Sequence, residues 1–391
     1  MSVIRRRLGS FALAASLLVA AFPGVAASPT PDAAAVPGAR ANPPLAAPGD
    51  DTLGALLRGA SGAGERLRSG LNELALAYAG LATGEEPTIS YGADGRLTIL
   101  LLGSDYRADY KYLEHTDVMM VVSLDPVRGK LAMASVPRSM VRFPIHPENR
   151  PPGGAKDSGD LRVNLLYDSY RQTGGDGEAD ARALERVGMD VAHALRVEID
   201  YYALIRFSGF DALVDMAGGI AVDIPAAIVD PSYQDSPTPG IRFPVATDWL
   251  LKGGSAKRCA GTTKNCKRGI VYVRSRKGKV GSASNSDYQR ARRQQGLIFA
   301  AIQKVTAGEA DLEVLRLGSI SHIATDMPRT AADAAWLRDR LAGARSPARS
   351  RVVFAPPTWA TDLAVPKDSA RLLLKDVRAW IAQKMAAVEV P

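Results

Sequence analysis

Cysteine is nearly missing from this chain: Cys259 and Cys266 are the only two among 391 residues. That excludes a multiply bridged scaffold, and with no histidine nearby in sequence a zinc site lacks ligands. The two lie in a Gly/Lys/Thr loop, where a local disulfide is expected to pin a short turn if the compartment is oxidising. Aromatic residues are also scarce, at 6%, so the core must be built on aliphatics, for which a hydrophobic content of 46% is ample. Long apolar runs are absent except for one, Phe11 to Phe22, which follows Arg5, Arg6 and Arg7. It has about the length of a signal-peptide core and is short for a membrane span. Pro23-Gly24 ends it, and Val25-Ala26-Ala27 offers small residues for cleavage before Ser28. Residues 1–27 are therefore expected to be a signal peptide, with an N-terminal anchor as the alternative. Either one places the remainder in an extracytoplasmic location, the cell envelope or periplasm.

Acidic residues are almost missing from one stretch. Between Arg274 and Arg293 there are seven basic residues and a single acid, Asp287. Tyr272-Val-Arg-Ser-Arg276 reads as a strand, which would point Arg274 and Arg276 to one face. Ser286 onward reads as a helix, on which Arg290, Arg293 and Gln294 share a face and Arg292 points away. Guanidinium forks that converge in this way suit bidentate grip on phosphate oxygens. The formal net charge of +8 suits an anionic partner. Nucleic acid is not expected to be that partner, because the export signal opposes it and no recognition-helix motif is present.

Residues 28–50 form a Pro/Ala-rich linker, and Leu53, Leu56, Leu57, Leu67, Leu71 and Leu74 give residues 51–96 a helical neck ahead of a domain over 97–386. Continuous apolar runs at Leu97–Leu102, Val118–Leu124 and Leu131–Val136 predict strands buried on both faces, the last two joined by a turn at Pro126–Gly129. Further strands are expected at Tyr201–Ile205, Ile220–Ile224, Ile270–Val273 and Arg351–Phe354. Helices are expected at Leu161–Arg171, Asp180–Arg196, Phe207–Ala217, Ser286–Thr306, Thr330–Leu341 and from Lys367 to Ala386, with an irregular excursion over 226–250. The interleaving predicts an α/β domain with a mixed central β-sheet covered by helices on both faces.

A second charged constellation lies at strand ends. Asp105 follows the first strand, His115 and Asp117 precede the second, and Arg138 follows the third. Ligands of open α/β sheets sit beyond strand ends. Asp105 and Asp117 could share a hard cation such as Mg²⁺ there, or form a salt-bridge network with the arginine.

Seven blocks in order carry a resemblance: Gly-Ser-Asp105-x-Arg107, Thr-Asp117 before an apolar strand, Ser-x-Pro-Arg138, Asn164 in Val-Asn-Leu-Leu-Tyr, Gly-Phe to Val-Asp-x-x-Gly-Gly-Ile, Tyr-Val-Arg274-x-Arg276, and Asp287-x-x-Arg290-x-x-Arg-Gln294-Gln. The order resembles the LytR-CpsA-Psr family of cell-wall glycopolymer ligases, from about Leu97 to Thr306. The resemblance implies an exported phosphotransferase that moves a glycopolymer from a polyprenyl-pyrophosphate carrier at the membrane surface onto peptidoglycan, with Mg²⁺, releasing polyprenyl phosphate. It places Asp105 and Asp117 at the metal-linked carboxylates and Arg107, Arg138, Arg274, Arg276, Arg290 and Gln294 at the pyrophosphate. Two positions depart from the pattern. His115 stands where arginine is frequent and would donate to phosphate with a charge that depends on pH. Ser139 stands where aspartate usually follows the arginine. A carrier that binds the lipid without turnover is the alternative reading.

Overall fold

Alternation of side chains across a pleat, with a period of two, builds the centre of the molecule. In the computed structural model, β1 (Leu97–Ser104), β2 (Thr116–Asp125) and β3 (Lys130–Ser135) are neighbours in a six-stranded sheet. The structure describes residues 86–106, 114–150, 153–172, 179–234, 237–254, 258–342 and 350–385. Leu100, Leu102, Met119, Val121, Ala132 and Ala134 face one side. Leu97, Met120, Val122, Leu124, Leu131 and Met133 face the other. Both faces are therefore apolar, which is why the strands read as unbroken hydrophobic runs.

Helices cover each face. The first is packed by α1 (Leu166–Gln172), by α2 (Ala179–Leu195) through Leu184, Val187, Val191 and Leu195, and by the closing α8 (Leu374–Met385) through Val377, Ile381 and Met385. The second is packed by Ile298, Phe299 and Ile302 of α5 (Asp287–Thr306) and by Trp336, Leu337 and Leu341 of α7 (Ala331–Leu341). The sheet is mixed, as expected. β1 runs antiparallel to β2 and parallel to β4 (Tyr201–Arg206); β3 runs antiparallel to β2 and parallel to β12 (Arg351–Val353); β11 (Ile323–Thr325) closes the edge beside β4.

A satellite cluster sits around α3 (Phe207–Met216), α4 (Gly269–Arg274) and Leu297 of α5. The expected strand Ile220–Ile224 is present as β5, but it pairs with β8 (Ala246–Leu251) in a separate ribbon rather than joining the central sheet. The stretch read as irregular holds β6 (Ile228–Asp230), β7 (Ile241–Phe243) and β8, and β6 also pairs β9 (Lys279–Val280), which is followed by β10 (Ala283–Ser284). Cys259 and Cys266 are bonded to each other in this cluster, with their Cα atoms 5.1 Å apart.

Three further expectations are corrected. Ile270–Val273 is helical, not a strand, being part of α4. Every residue from Gly269 to Val273 is buried, and an apolar run buried all round carries no periodicity that separates helix from strand. The closing helix starts at Leu374 rather than Lys367, because β14 (Ser369–Leu372) first pairs with β13 (Ala360–Leu363). Residues 86–96 are not part of a helical neck; they form a coil and a turn, held where the Thr88 and Ile89 amides donate to Asp333 Oδ1 at 2.6 and 3.0 Å. The signal peptide, the linker and the rest of the neck lie outside the described residues, as does Ala386. Among the described residues no helix is long and apolar enough to cross a membrane.

Candidate anion-binding site

The site begins with a bulge. β1 and β2 pair regularly until Gly103 meets Val118, and then Ser104 meets Thr116, which leaves Asp117 as the extra residue of β2. Bulges re-aim side chains. Gly103 is required there, since a Cβ would lie 2.7 Å from Val118 Cγ2. The unpaired Asp117 carboxylate takes Arg138 Nη1 at 3.1 and 3.0 Å, Arg290 Nη1 at 3.0 Å and Asn164 Nδ2 at 3.1 Å. Burial opposes its ionisation, but the Arg290 and Arg138 charges outweigh burial and hold its pKa below the ordinary carboxylate value.

A second carboxylate completes the cluster. Asp287, the first residue of α5, lies 3.3 Å from Arg138 Nε, 3.1 Å from Arg290 Nη2 and 3.7 Å from Arg276 Nη1. Three guanidiniums thus share two carboxylates at the N-terminus of a long helix, whose dipole also favours anions. Ser286 caps that helix by accepting from Gln289 N at 3.2 Å. Arg290 is buried, with 6% of its side chain exposed, whereas Arg276 is 42% exposed and available to a ligand. Burial and then the neighbouring Arg138 charge depress the Arg276 pKa, so an incoming anion would relieve a repulsion.

Arg274 and Arg276 do not share a strand face. Arg274 closes α4 and stacks its guanidinium 4.2 Å from the centre of the Phe207 ring, while Arg276 follows in a loop. Gly278 sets the path of that loop at φ 75°, where a Cβ would strike Val229 O at 2.1 Å. Arg293 turns out to be a buried staple rather than a ligand group. Its Nε donates to Tyr272 O at 3.0 Å and its Nη1 to Asn285 Oδ1 at 3.1 Å, and burial holds its pKa down to about 10. Gln294 is also structural: it is 8% exposed and donates to Val273 O at 3.0 Å, tying α5 to α4. Arg292 points to solvent, as expected. Arg107 lies outside the described residues.

Asp105 stands beside this cluster. Its Oδ1 accepts from the His115 amide at 2.9 Å, and its Oδ2 lies 3.5 Å from His115 Nδ1. Burial and, to a lesser extent, the Asp117 charge raise its pKa, while the His115 amide, His115 and Arg274 pull the other way. Ser139, where the family pattern has an acid, is buried and bonded to Tyr288; Arg138 is oriented instead by Asp117 and Asp287.

Sequence reasoning assigned no role to Asp287, Asn164 or Glu114. Asp287 carried a signal, as the lone acid in a basic run. Glu114 carried none. It is 1% exposed, and it accepts from Ser104 Oγ, from Arg206 Nε at 2.9 Å and from Arg171 Nη1 at 2.7 Å.

For a divalent cation, the donor chemistry fits. Asp105 and Asp117 are hard oxygen donors, and Asn164 Oδ1 beside them is buried without a hydrogen-bond partner. Among the described residues no group of three His, Cys, Asp or Glu side chains gathers to hold a metal alone. Mg²⁺ commonly binds one or two carboxylates and leaves the remaining positions to substrate phosphate and water.

Fold and site together define an α/β domain with a cluster of arginines and carboxylates at the end of a mixed sheet. The chain belongs to the LytR_cpsA_psr family, whose profile matches residues 78–351. It is similar to the cell wall biosynthesis protein LcpA of Corynebacterium glutamicum, 24% identical over 264 residues, which are 60% of this chain and 44% of that one. It is also similar to the polyisoprenyl-teichoic acid–peptidoglycan teichoic acid transferase TagU of Bacillus cereus, 30% identical over 133 residues, 32% of this chain and 34% of the relative. The chain thus spans less than half the length of these curated relatives. The crystal structure of protein gbs0355 from Streptococcus agalactiae shares the fold, with a TM-score of 0.50 at 18% identity over 76% of this chain and 90% of that chain.

Proposed function

We propose that this protein is an exported phosphotransferase. It moves a glycopolymer from a polyprenyl-pyrophosphate carrier onto a peptidoglycan hydroxyl and releases polyprenyl phosphate. The observation that carries the reading is the convergence of Arg138, Arg276 and Arg290 on two carboxylates at a sheet end and a helix N-terminus. The names of the relatives, a cell wall biosynthesis protein and a teichoic acid transferase, support the substrate class. Export rests on the arginine-led apolar run and small residues of residues 1–27.

Pyrophosphate repels an attacking hydroxyl, and fixed positive charge removes that repulsion and stabilises the transition state. Arg276 and Arg138 are placed to hold the phosphate oxygens, and Arg290 fixes Asp117 from below. The acceptor oxygen bonds to the phosphorus that bears the sugar, the bridging P–O bond to the polyprenyl phosphate breaks, and the hydroxyl proton passes to Asp105. Mg²⁺, held by Asp105, Asp117 and Asn164 Oδ1, would supply further neutralisation of phosphate charge. Without an acceptor, water in place of the hydroxyl would give a pyrophosphatase side activity.

The test is release of polyprenyl phosphate from a pyrophosphate-linked lipid in Mg²⁺, alongside binding of that lipid. Arg138→Ala and Arg276→Ala should each weaken binding by about tenfold or more, from charge-assisted contacts of roughly 1.5–3 kcal/mol, and Arg290→Ala should weaken it indirectly by releasing Asp117. Arg292→Ala should change little. Equal losses at Arg292 and Arg276 would mean that bulk charge is what matters. Tight binding without release would make the protein a lipid carrier instead.

A further inference from the structure

A second concave surface is lined by none of the residues of the arginine–aspartate cluster. Its volume is about 600 Å³, and its walls carry Arg142, Arg150, Lys156, His193, Arg371 and Lys375 against two acids, Asp157 and Asp376. The floor is apolar, made by Val141, Phe143, Pro144 and Leu372 to Leu374. We propose that this cavity is a separate binding site for an anionic glycan segment, one that bears carboxylate or phosphate groups.

The charge distribution carries the inference. At the first site the guanidiniums are neutralised from within by Asp117 and Asp287. In the second cavity Arg142 has only a distant partner, Asp160 at 4.0 Å, and among the described residues no carboxylate pairs with Lys156, Arg371 or Lys375. Arg150 is anchored by donating from Nε to Ile145 O at 2.9 Å. Burial, then the neighbouring His146, Arg150 and Arg378, lower the pKa of His193, with Asp190 pulling the other way. α8 begins in this wall at Leu374, where the Asp376 and Val377 amides already donate to Leu373 O at 3.1 and 3.0 Å, so the anion preference rests on the side chains. Like charges gathered on one concave face repel one another until a counter-charge arrives.

The backbone holds the key residue in place. Arg142 has φ 51°, and its amide donates to Gly159 O at 2.7 Å. A left-handed conformation is uncommon for a side chain other than glycine, asparagine or aspartate. The same segment delivers Arg138 to the first site four residues earlier. The volume lies in the range of sites for organic ligands rather than single ions. An apolar floor under a cationic rim matches a sugar chain, whose rings present C–H faces and whose substituents carry charge. The word glycan rests on the function proposed above; the anion preference rests on the cavity alone.

The experiment uses calorimetric titration of the exported chain with trigalacturonate, phosphorylated maltotriose, chitotriose and inorganic phosphate. Trigalacturonate or phosphorylated maltotriose should bind at least about tenfold more tightly than neutral chitotriose, and which of the two binds better identifies the anionic group. The variant Arg142→Ala/Arg371→Ala, at two exposed positions, should lose about tenfold or more of that affinity while keeping affinity for inorganic pyrophosphate. Arg276→Ala should show the reverse pattern. Equal binding of chitotriose would remove the charge argument. Loss in Arg276→Ala but not in the double variant would place the glycan at the first site. Binding of inorganic phosphate as tight as that of the oligosaccharides would reduce the cavity to an ion site and overturn the proposal. Failure of lipid turnover with the glycan result intact would reject the transferase reading and leave this one standing.

Discussion

Asp287 neutralises the same guanidiniums that are proposed to hold a ligand phosphate, and removing its charge should separate stability from affinity. Its carboxylate lies 3.1 Å from Arg290, 3.3 Å from Arg138 and 3.7 Å from Arg276. A pair of unit charges at about 3.3 Å and an effective dielectric constant near 20 interacts by about 5 kcal/mol before desolvation is subtracted. Removing one partner of a buried pair costs roughly 3–5 kcal/mol. Asp287 keeps 23% of its side chain exposed and Asp117 still serves two of the arginines, so the lower end applies. Asp287→Asn should therefore destabilise the free protein by about 3 kcal/mol. With an unfolding entropy of about 2 cal/mol/K per residue, that is a fall in Tm of roughly 5 °C for a domain of this length. The same change leaves three guanidiniums facing one carboxylate. Inorganic pyrophosphate should then bind about tenfold more tightly, because it no longer competes with an internal anion for a contact of roughly 1.5–3 kcal/mol. Differential scanning fluorimetry across a pyrophosphate titration reads both quantities, and the Tm gap between variant and parent should close as ligand rises. A folded variant that binds pyrophosphate more weakly would show that Asp287 aims the arginines instead of standing in for the ligand. An unchanged Tm would show that these ion pairs contribute nothing.

Three other outcomes are expected. Asp117 has a pKa held below the ordinary value, so its contribution is present above the unfolded-state pKa and is lost as pH falls through the folded value. Asp117→Asn should flatten the acid limb of the stability profile, cost about 3 kcal/mol at pH 7 and abolish Mg²⁺-dependent turnover; full activity in a folded variant would remove Asp117 from the site. Asp200 is displaced the other way: burial, with Glu198 and Asp94 nearby, pushes it up to about 6. The folded state keeps a proton that the unfolded chain has released, so stability drains as pH rises from about 4 to 6. Asp200→Asn should therefore stabilise by about 1 kcal/mol at pH 7, discounted for its partial exposure, and by nothing at pH 4, as urea unfolding at both values would reveal. Cys259→Ser/Cys266→Ser should lose about 2 kcal/mol, the entropy of one short closed loop, without changing pyrophosphate affinity; a parent protein that labels with thiol reagents without reductant would refute the bridge.

The sequence by itself determined the three-layer sheet domain, because its strands are buried on both faces and must be written as unbroken aliphatic runs. It also determined α5, whose cap Ser286 and polar first turn mark its start, and it placed Asp105, Asp117 and Arg138 at strand ends through the order of the motifs. Periodicity could not decide elements buried on all sides, which is why α4 read as a strand and Arg274 and Arg276 were put on one face. Tertiary structure alone decided which basic residues serve a ligand. Arg290 and Arg293 lie one helical turn apart on buried positions of α5, yet one grips Asp117 and the other staples the carbonyls of Tyr272 and Ser275. That difference depends on what packs opposite each guanidinium. The partner of Arg290 comes from a bulge 173 residues earlier in the chain, and no local pattern records so distant a contact.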